Sequence, residues 1–244
     1  RQAEQGDGGL SADPSFVALK GAAKVFAHRD AEAVADLSIS TLAMDPNAAV
    51  WRGLARVELG QMAGAQRDFN LAMPAVAKLD PKLAAHVKLK AARAAVAMGN
   101  VQAARAYVRL LPDRSDDHAS DAEVLLVKAQ IASSLNQTDK AAALYDDVIK
   151  QEVQPFGVQA RLEKAMLLND AGKLDDKAVL AELEKLRMMW RGDDLELRIL
   201  TALSERQLAV GDVVAGLKTM RIATVNFPNS DDARAMGARM PDIF

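Results

Sequence analysis

The hydrophobic positions of this chain follow a helical period. In the stretch 121–135, one face places its apolar residues at steps of three and four: Leu125, Ala129, Ala132 and Leu135. Such spacing is that of a helix with one buried side. No segment alternates apolar and polar residues between hairpin turns, as an exposed strand would. The pattern therefore predicts an all-α protein.

Short breaks interrupt the helical pattern at regular intervals. They fall at Gly60, Gly99, Asn136, Gly172 and Gly211, roughly 36 to 39 residues apart. A period of this length is typical of solenoids in which helical hairpins stack on their neighbours. We therefore predict a right-handed α-α superhelix of about six hairpins.

Helix starts are marked by two kinds of signal. Asp-Pro dipeptides occur at positions 13–14, 45–46 and 80–81, where Asp caps the free amides and Pro suits the first helical position. Ser120-x-x-Glu123 has the spacing of a capping box and predicts a further start. Helices beginning at these signals would supply the repeated hairpins.

The pattern also suggests domain boundaries. Residues 1–13 contain three Gly, two Asp and one Ser with little to bury, and they are predicted to be a flexible linker. The repeat domain is predicted over 14–237, with a C-terminal tail at 238–244. Because the first residue is Arg1, an export signal could lie upstream of this segment. No apolar run approaches the ~20 residues that cross a bilayer, so we predict no direct membrane insertion by this segment.

Composition narrows the classes of function. Half of the 244 residues are hydrophobic but only 4% are aromatic, which predicts close, Ala-dominated helix packing. The net charge of −2 offers no excess to hold a phosphate backbone, so nucleic acid is not an expected partner. The absence of cysteine excludes disulfides, thiol catalysis and thiolate metal sites.

One group of residues resembles a known repeat. Gly53 lies within a predicted helix and is followed by Ala65-x-x-x-Phe69, and Ala141-x-x-x-Tyr145 repeats the latter pattern. These residues resemble the tetratricopeptide repeat, in which a small residue lets two helices approach and an aromatic fills the space towards the next pair. The resemblance implies a tetratricopeptide-like solenoid. A divergent helical-hairpin solenoid is the alternative.

The match is degenerate at several positions. Arg52 and Arg56 lie where the repeat consensus has Leu and Tyr. Val108 and Met220 replace the Phe, and the fifth unit matches poorly around Lys177. The interval is also longer than the ~34 residues typical of the repeat.

A second resemblance concerns the C-terminal quarter. The block 186–196, Leu-Arg-Met-Met-Trp-Arg-Gly-Asp-Asp-Leu-Glu, together with 219–221 and 226–228, resembles a block in large repeat proteins of alphaproteobacteria. Because those proteins are exported to the cell envelope, this resemblance implies an excised scaffold domain of a periplasmic or envelope protein. A cytoplasmic location is the alternative. Trp190 itself is predicted to pack between hairpins, with the following residues forming a turn.

Catalytic and metal-binding patterns are scarce. The three histidines, His28, His86 and His118, have no metal-ligand spacing and are predicted to be surface or loop residues. His28-Arg29-Asp30 matches the first three residues of a kinase catalytic-loop motif, but the Asn that should follow is absent. We predict no catalytic residue, no metal site and no cofactor.

Acidic residues are weaker candidates for a metal-binding or catalytic site. The cluster between Asp113 and Asp121 lacks the ordered spacing of a calcium loop and is predicted to be a solvated connection. The acidic pairs at 175–176 and 193–194 are predicted to mark helix starts. Carboxylates on separate repeats, such as Glu163 and Glu205, leave a cell-wall-active enzyme as a remote alternative.

A partner groove is predicted on the first helix of each hairpin. Alignment on the breaks assigns it Trp51, Leu54, Lys90, Arg93, Gln130, Ser134, Met166 and Asp170. This mainly polar lining with one large aromatic would suit an extended peptide or a helix. Alternatively, Trp51 packs in the core and the charged residues only solubilise their helices.

The sequence thus predicts a non-catalytic scaffold for protein–protein interaction. Its partner is expected to be another protein or a peptide. The leading hypothesis places it in the bacterial cell envelope, and the alternative is a cytosolic peptide-binding or chaperone-like module.

Overall fold

All regular structure in the described part of the chain is helical. The computed structural model describes residues 13–112 and 117–243. The helices of these ranges are α1 Pro14–Phe26, α2 Asp30–Leu37, α3 Pro46–Glu58, α4 Met62–Val76, α5 Pro81–Ala97, α6 Val101–Arg109, α7 His118–Ser134, α8 Thr138–Lys150, α9 Phe156–Asp170, α10 Asp176–Met189, α11 Asp194–Ala209, α12 Val213–Asn226 and α13 Asp231–Ile243. The predicted all-α class is confirmed. None of these helices has the length and apolar character to cross a bilayer.

The helices group into two compact units. Unit 1 extends from Arg1 to Leu135 and unit 2 from Asn136 to Phe244, so the boundary falls at the turn between α7 and α8. In unit 1, the odd-numbered helices α1, α3, α5 and α7 pack side by side, and each even-numbered helix packs on both of its chain neighbours. In unit 2, α8 to α13 pack against one another in chain order. The single repeat domain over 14–237 stays a prediction.

The predicted Asp-Pro helix starts are confirmed. Asp13 accepts hydrogen bonds from the backbone N–H groups of Ser15 (2.8 Å) and Phe16 (3.1 Å). Asp45 and Asp80 cap α3 and α5 in the same way. Each cap satisfies amides that the first turn of a helix leaves free, and the following Pro has no amide to satisfy.

The predicted capping box at Ser120 is wrong. Helix α7 begins three residues earlier, at His118, and its N-cap is Asp117, whose carboxylate accepts from the N–H groups of Ala119 and Ser120. Glu123 does not reach back to the helix start. Instead it is buried and bonds to Lys90 of α5. Spacing alone could not distinguish the two roles, because the partner of Glu123 lies on another helix, 33 residues away in the chain.

Two acidic pairs mark helix starts as predicted. Asp175 caps α10 by accepting from the N–H of Ala178 (2.7 Å). Asp193 caps α11 and also accepts from the indole N–H of Trp190 (2.7 Å). The Trp190 ring packs partly on the core formed by α9, α10 and α11. Trp190 therefore joins the end of one helix to the start of the next.

The break residues share one backbone conformation. Gly60, Gly99, Asn136, Gly172 and Gly211 all have positive φ, between 57° and 84°. At Gly60, the N–H of the next residue, Gln61, donates to the carbonyl of Arg56 (2.8 Å), which ends α3 in a tight left-handed turn. The same bond recurs after the other three glycines. Glycine favours this turn because it has no Cβ to clash at positive φ.

The first hairpin has an unpredicted break at His28. Its φ is 53°, and the following N–H, that of Arg29, donates to the carbonyl of Lys24 (2.9 Å). His28 therefore occupies the position of the later glycines. Its exposed side chain agrees with the predicted loop histidine. The triplet 28–30 is a turn followed by the start of α2.

The predicted small-residue and aromatic contacts are confirmed in unit 1. Phe69 is 1% exposed, and a Cβ added at Gly53 would lie 2.8 Å from its ring. Ala65 is also fully buried in this core. Gly53 thus lets α3 and α4 approach closely enough for the ring to fill the space between them.

Tyr145 and Met220 fill the matching positions of unit 2. Their side chains are 2% and 1% exposed. A separate core of unit 2, formed by α9, α10 and α11, contains larger aliphatic residues, among them Leu183, Leu186 and Ile199, which are fully buried.

Arg52 and Arg56 depart from the repeat consensus because they serve a buried ion network. Both guanidinium groups contact Asp68 of α4, at 2.7 Å and 2.5 Å. Arg52 also donates to the carbonyls of Leu37, the last residue of α2, and of Leu42, in the connection that follows. The network therefore ties the α2–α3 connection to the α3–α4 hairpin.

The C-terminal end differs from the predicted tail. Residues 238–243 are the last turns of α13, which buries Ala233 and Met236 against α11 and α12. Its remaining face is mostly polar. The predicted linker at 1–13 lies outside the described residues except for Asp13, which caps α1.

Candidate protein-binding surface

An aromatic pair lies on the row of odd-numbered helices in unit 1. The ring centroids of Phe26, at the end of α1, and Trp51, in α3, are 5.2 Å apart at an interplanar angle of 55°. Trp51 is half-buried against the core, whereas Phe26 is 70% exposed. An aromatic ring of this exposure loses much apolar contact with water when a partner covers it. The pair can therefore anchor an apolar side chain of a partner.

A charged cluster lies further along the same row. The ammonium group of Lys90 in α5 lies 3.0 Å from the carboxylate of Glu123 in α7 and 3.6 Å from that of Glu58 at the end of α3. Arg93 lies 3.6 Å from the same Glu123 oxygen. Two cations and two carboxylates thus compensate one another. The cluster joins α3, α5 and α7, and it makes this stretch locally neutral.

Two titratable groups next to this cluster have shifted pKa values. Packing around the ring and, second, the ammonium of Lys90 lower the pKa of His86 from its ordinary value of 6.5. Burial and, second, the carboxylate of Glu58 raise the pKa of Asp30 at the start of α2. Both shifts favour the neutral form, as expected where packing removes water.

The predicted groove residues of unit 1 have different environments. Leu54 is 6% exposed and belongs to the core of α3, α4 and α5, so its assignment to the groove is wrong. Leu54 is buried because it packs in the core that α3 shares with α4 and α5. Ser134 is exposed and donates to the carbonyl of Gln130 (2.9 Å). Trp51, Lys90 and Arg93 lie on the row as described above.

The two predicted groove residues of unit 2 serve mainly local contacts. Met166 is half-buried against the core of α9, α10 and α11. Asp170 is exposed and accepts a hydrogen bond from Arg206 of α11 (2.8 Å). Their binding of a partner stays a prediction.

The candidate catalytic carboxylates are held by neighbouring side chains. Glu163 accepts hydrogen bonds from Tyr145 (3.1 Å), Gln159 (2.9 Å) and Arg198 (2.7 Å). Glu205 lies 3.9 Å from Arg239 on α13. Glu163 thus joins α8, α9 and α11, a role that packing explains. Within residues 13–112 and 117–243, no three His, Asp or Glu side chains are grouped to hold a metal ion.

The structure describes residues 117–121 of the acidic stretch 113–121. Residues 113–116 lie outside the described ranges. Asp117 caps α7, and its hydrogen bond with the Ser120 hydroxyl (2.8 Å) is the main reason that the pKa of this carboxyl is lowered. His118 is exposed at the first position of α7. Asp117 therefore has a structural role at the helix start.

Sequence analysis did not identify three residues on the row of odd-numbered helices: Phe26, Glu58 and Glu123. Phe26 lies two residues before the turn at His28, and recognition of that histidine as a break would have aligned α1 with the other odd-numbered helices. Glu58 similarly lies two residues before Gly60. Glu123 had no distinguishing local signal, since its partner Lys90 is 33 residues away in the chain.

Comparison with known proteins supports the fold. No protein-family model matches the sequence, and no curated protein matches it. A solved tetratricopeptide repeat protein from Parabacteroides merdae is similar over 91% of this chain and 82% of its own, with 13% identity and a TM-score of 0.65. The structure of the APC/C hetero-tetramer Cut9–Hcn1 is similar over 95% of this chain, with 13% identity and a TM-score of 0.61. This chain covers only 43% of that neighbour's length.

A third structure, the TPR2AB domain of yeast Sti1 with pHSP90, aligns over 94% of this chain and 98% of its own, with 17% identity and a TM-score of 0.37. The first two similarities, together with the helical hairpins and left-handed turns, show that this chain has a tetratricopeptide-like α-α solenoid fold. The predicted fold class and the resemblance to this repeat are confirmed.

Proposed function

We propose that this chain is a non-catalytic scaffold that binds a partner protein through the row of odd-numbered helices in unit 1. The observation that carries the proposal is the exposed ring of Phe26 in tilted contact with the ring of Trp51. Large aromatic side chains supply much of the binding energy at protein interfaces. A tetratricopeptide-like fold is compatible with such a role, since the named neighbours include an assembly of two proteins, Cut9 and Hcn1.

The aromatic pair and the charged cluster on this row favour a particular kind of ligand. The aromatic pair favours an apolar anchor residue, and the locally neutral cluster of Lys90, Arg93, Glu58 and Glu123 favours polar contacts over a strongly charged ligand. An extended peptide or a helix with one apolar anchor meets both conditions.

Photo-crosslinking tests this proposal. A photoreactive benzoylphenylalanine replaces Phe26 in one protein and Met44, an exposed apolar residue outside the helices, in a matched control. After irradiation in an extract of the native cells, we expect a defined protein adduct at position 26 and none at position 44. The same adducts at both positions, or none at position 26, would contradict the proposal.

A competition measurement complements the crosslink. Unlabelled protein should compete the adduct away, whereas the Phe26→Ala variant should compete at least ten times less well. Circular dichroism checks that the variant stays helical, which is expected because the ring is exposed. Lys90 and Arg93 are unsuitable for this test, since their removal would leave the buried carboxylate of Glu123 without its partners.

We also propose a location in the bacterial cell envelope, which the resemblance of the block 186–196 supports. Fractionation of cells that express the complete gene tests it. Recovery in the periplasmic or envelope fraction is expected. Recovery in the cytosol alone would favour the cytosolic peptide-binding module instead.

A further inference from the structure

Helix α12 in unit 2 exposes an aliphatic and basic stripe. Five side chains form it, and we call them the α12 face: Val214, Lys218, Arg221, Ile222 and Val225. Their steps of four, three, one and three residues place them on one side of the helix. The opposite side, which includes Gly216, Met220 and Ala223, is buried. The valines of the α12 face are 63% and 67% exposed and its isoleucine is 37% exposed.

The equivalent helix α8 has a different exposed face. When the two helices are aligned on their break residues, Asn136 and Gly211, the three aliphatic positions of the α12 face correspond to charged and exposed residues. These residues are, in order, Asp139, Asp147 and Lys150. The hairpin architecture therefore does not require apolar residues at these positions. Three exposed aliphatic side chains in one line are typical of a surface that a partner covers.

The charges of the α12 face also differ from those of α8. In and around α8, Lys164 pairs with Asp146 at 2.6 Å, and Lys150 pairs with Asp147 at 3.0 Å. Helix α12 contains no Asp or Glu, and no acidic side chain of the described ranges pairs with Lys218 or Arg221. Two uncompensated cations beside an aliphatic line favour a ligand that is both apolar and acidic.

We propose that the α12 face docks an amphipathic helix of a partner protein, with an aliphatic stripe flanked by Asp or Glu. The distance from Val214 to Val225 is eleven residues, about 16 Å of helix, which matches roughly three turns of a partner helix. Packing of aliphatic side chains along both helices supplies the contact, and the partner carboxylates pair with Lys218 and Arg221.

A second copy of this chain does not fit this surface. The other described helix with an exposed apolar line is α1, where Leu19 and Phe26 are exposed, and α1 contains lysines but no acidic residue. Two cations are also few for attachment to an anionic bilayer, for which clusters of four to eight are typical. A separate acidic protein is therefore the occupant. The proposal concerns unit 2 alone and does not depend on the aromatic pair of unit 1.

Two synthetic helical peptides test the proposal directly. Both contain the same line of leucines over three turns, and this line is flanked by glutamates in one peptide and by lysines in the other. Each is titrated into the intact chain labelled at its Ile and Val methyl groups, and NMR spectra are recorded. The glutamate peptide should shift the methyl signals of Val214, Ile222 and Val225, with a Kd that is at least tenfold lower than that of the lysine peptide.

Charge-reversal variants locate the binding site. Lys218→Glu combined with Arg221→Glu should raise the Kd of the glutamate peptide at least tenfold and improve binding of the lysine peptide. The matched control, Lys140→Glu combined with Lys150→Glu on α8, should leave both values within about twofold. All four lysine and arginine side chains are exposed, so circular dichroism should show the same helicity in each variant.

Three outcomes would overturn the proposal. Equal binding of both peptides would show that charge has no role, and methyl shifts elsewhere would place binding on another surface. Absence of peptide binding, together with Lys218- and Arg221-dependent binding to phosphatidylserine vesicles, would assign the α12 face to a membrane instead.

Discussion

The two units build helical hairpins from different cores. Among the buried hydrophobic residues of the described ranges, alanine provides 17 of 29 in unit 1 but only five of 19 in unit 2. The core of α9, α10 and α11 in unit 2 instead contains Leu183, Ile199 and Leu203. Unit 1 therefore relies on close helix approach, and unit 2 on larger aliphatic side chains.

Because its helices approach closely, the stability of unit 1 depends on a few large or polar side chains. Phe69 fills the space beside Gly53, and Arg52 and Asp68 form a buried ion pair within the same hairpin. In unit 2 the ion pairs, such as Arg206 with Asp170, are more exposed. The comparison indicates that single substitutions in unit 1 should have larger and more position-specific effects.

Each unit contains one tryptophan, so its unfolding can be followed separately. With Trp190→Phe, fluorescence reports Trp51 in unit 1, and with Trp51→Phe it reports Trp190 in unit 2. The predictions below use urea unfolding in these two backgrounds unless another measurement is given.

The largest effect is expected from Phe69→Ala. Loss of this buried ring should lower the free energy of unfolding of unit 1 by about 3–5 kcal/mol, because the neighbouring alanines cannot fill the cavity. Leu183→Ala in unit 2 is the counterpart, with a loss of about 2–5 kcal/mol. Unchanged unfolding of Phe69→Ala would reject its role as the centre of the unit 1 core.

Asp68→Ala should cost about 3 kcal/mol, since it leaves the buried guanidinium of Arg52 without its carboxylate. This value is at the lower end for a broken buried pair because Arg52 keeps its backbone carbonyl partners. Asp170→Ala is the control in unit 2. In its pair with Arg206 the Asp170 side chain is 66% exposed, so a loss of less than about 1 kcal/mol is expected. Equal losses at both sites would contradict the distinction between buried and exposed pairs.

Gly53→Ala should destabilise unit 1 by about 1–3 kcal/mol. The new methyl group would lie 2.8 Å from the Phe69 ring, which is packed on all sides. At Gly216 in unit 2, an added Cβ would lie 2.6 Å from the Leu208 side chain, which is half-buried and has room to move. Gly216→Ala should therefore cost less. The reverse order of the two losses would show that the Phe69 ring is not fixed.

The smallest effect concerns pH. The folded state lowers the pKa of His86, so protonation favours the unfolded chain, and unit 1 should gain stability as pH rises from the folded pKa towards 6.5. His86→Gln should reduce this dependence. Thermal unfolding at pH 5.5 and 7.5 measures the difference between the two proteins, and residues 136–244 contain no histidine, so unit 2 is the internal reference. An identical pH dependence of both proteins would contradict the shift.

Local sequence signals were sufficient to predict the structure where it depends on a few neighbouring residues. The Asp-Pro caps and the left-handed turns at the break residues involve contacts within about five positions. The close helix pair at Gly53 and Phe69, which lie on different helices, was predicted from the resemblance to the repeat instead. The break at His28 was missed because a histidine gives a weaker turn signal than glycine.

Long-range roles were not predictable in this way. Arg52 and Arg56 were recognised as departures from the repeat, but their partner Asp68 lies on the next helix. Glu123 appeared to belong to a capping box, whereas it pairs with Lys90 of another hairpin. Leu54 was assigned to the groove although it packs in the core of α3, α4 and α5.

The sequence by itself determined the all-α class, the hairpin repeat, the helix starts and the turns, because these depend on local periodicity and backbone preference. The tertiary structure decided which faces are covered and which charges meet. It buried Leu54, left Phe26 exposed beside Trp51, and placed Glu123 against Lys90. Those outcomes depend on residues far apart in the chain, whose proximity is set by helix packing.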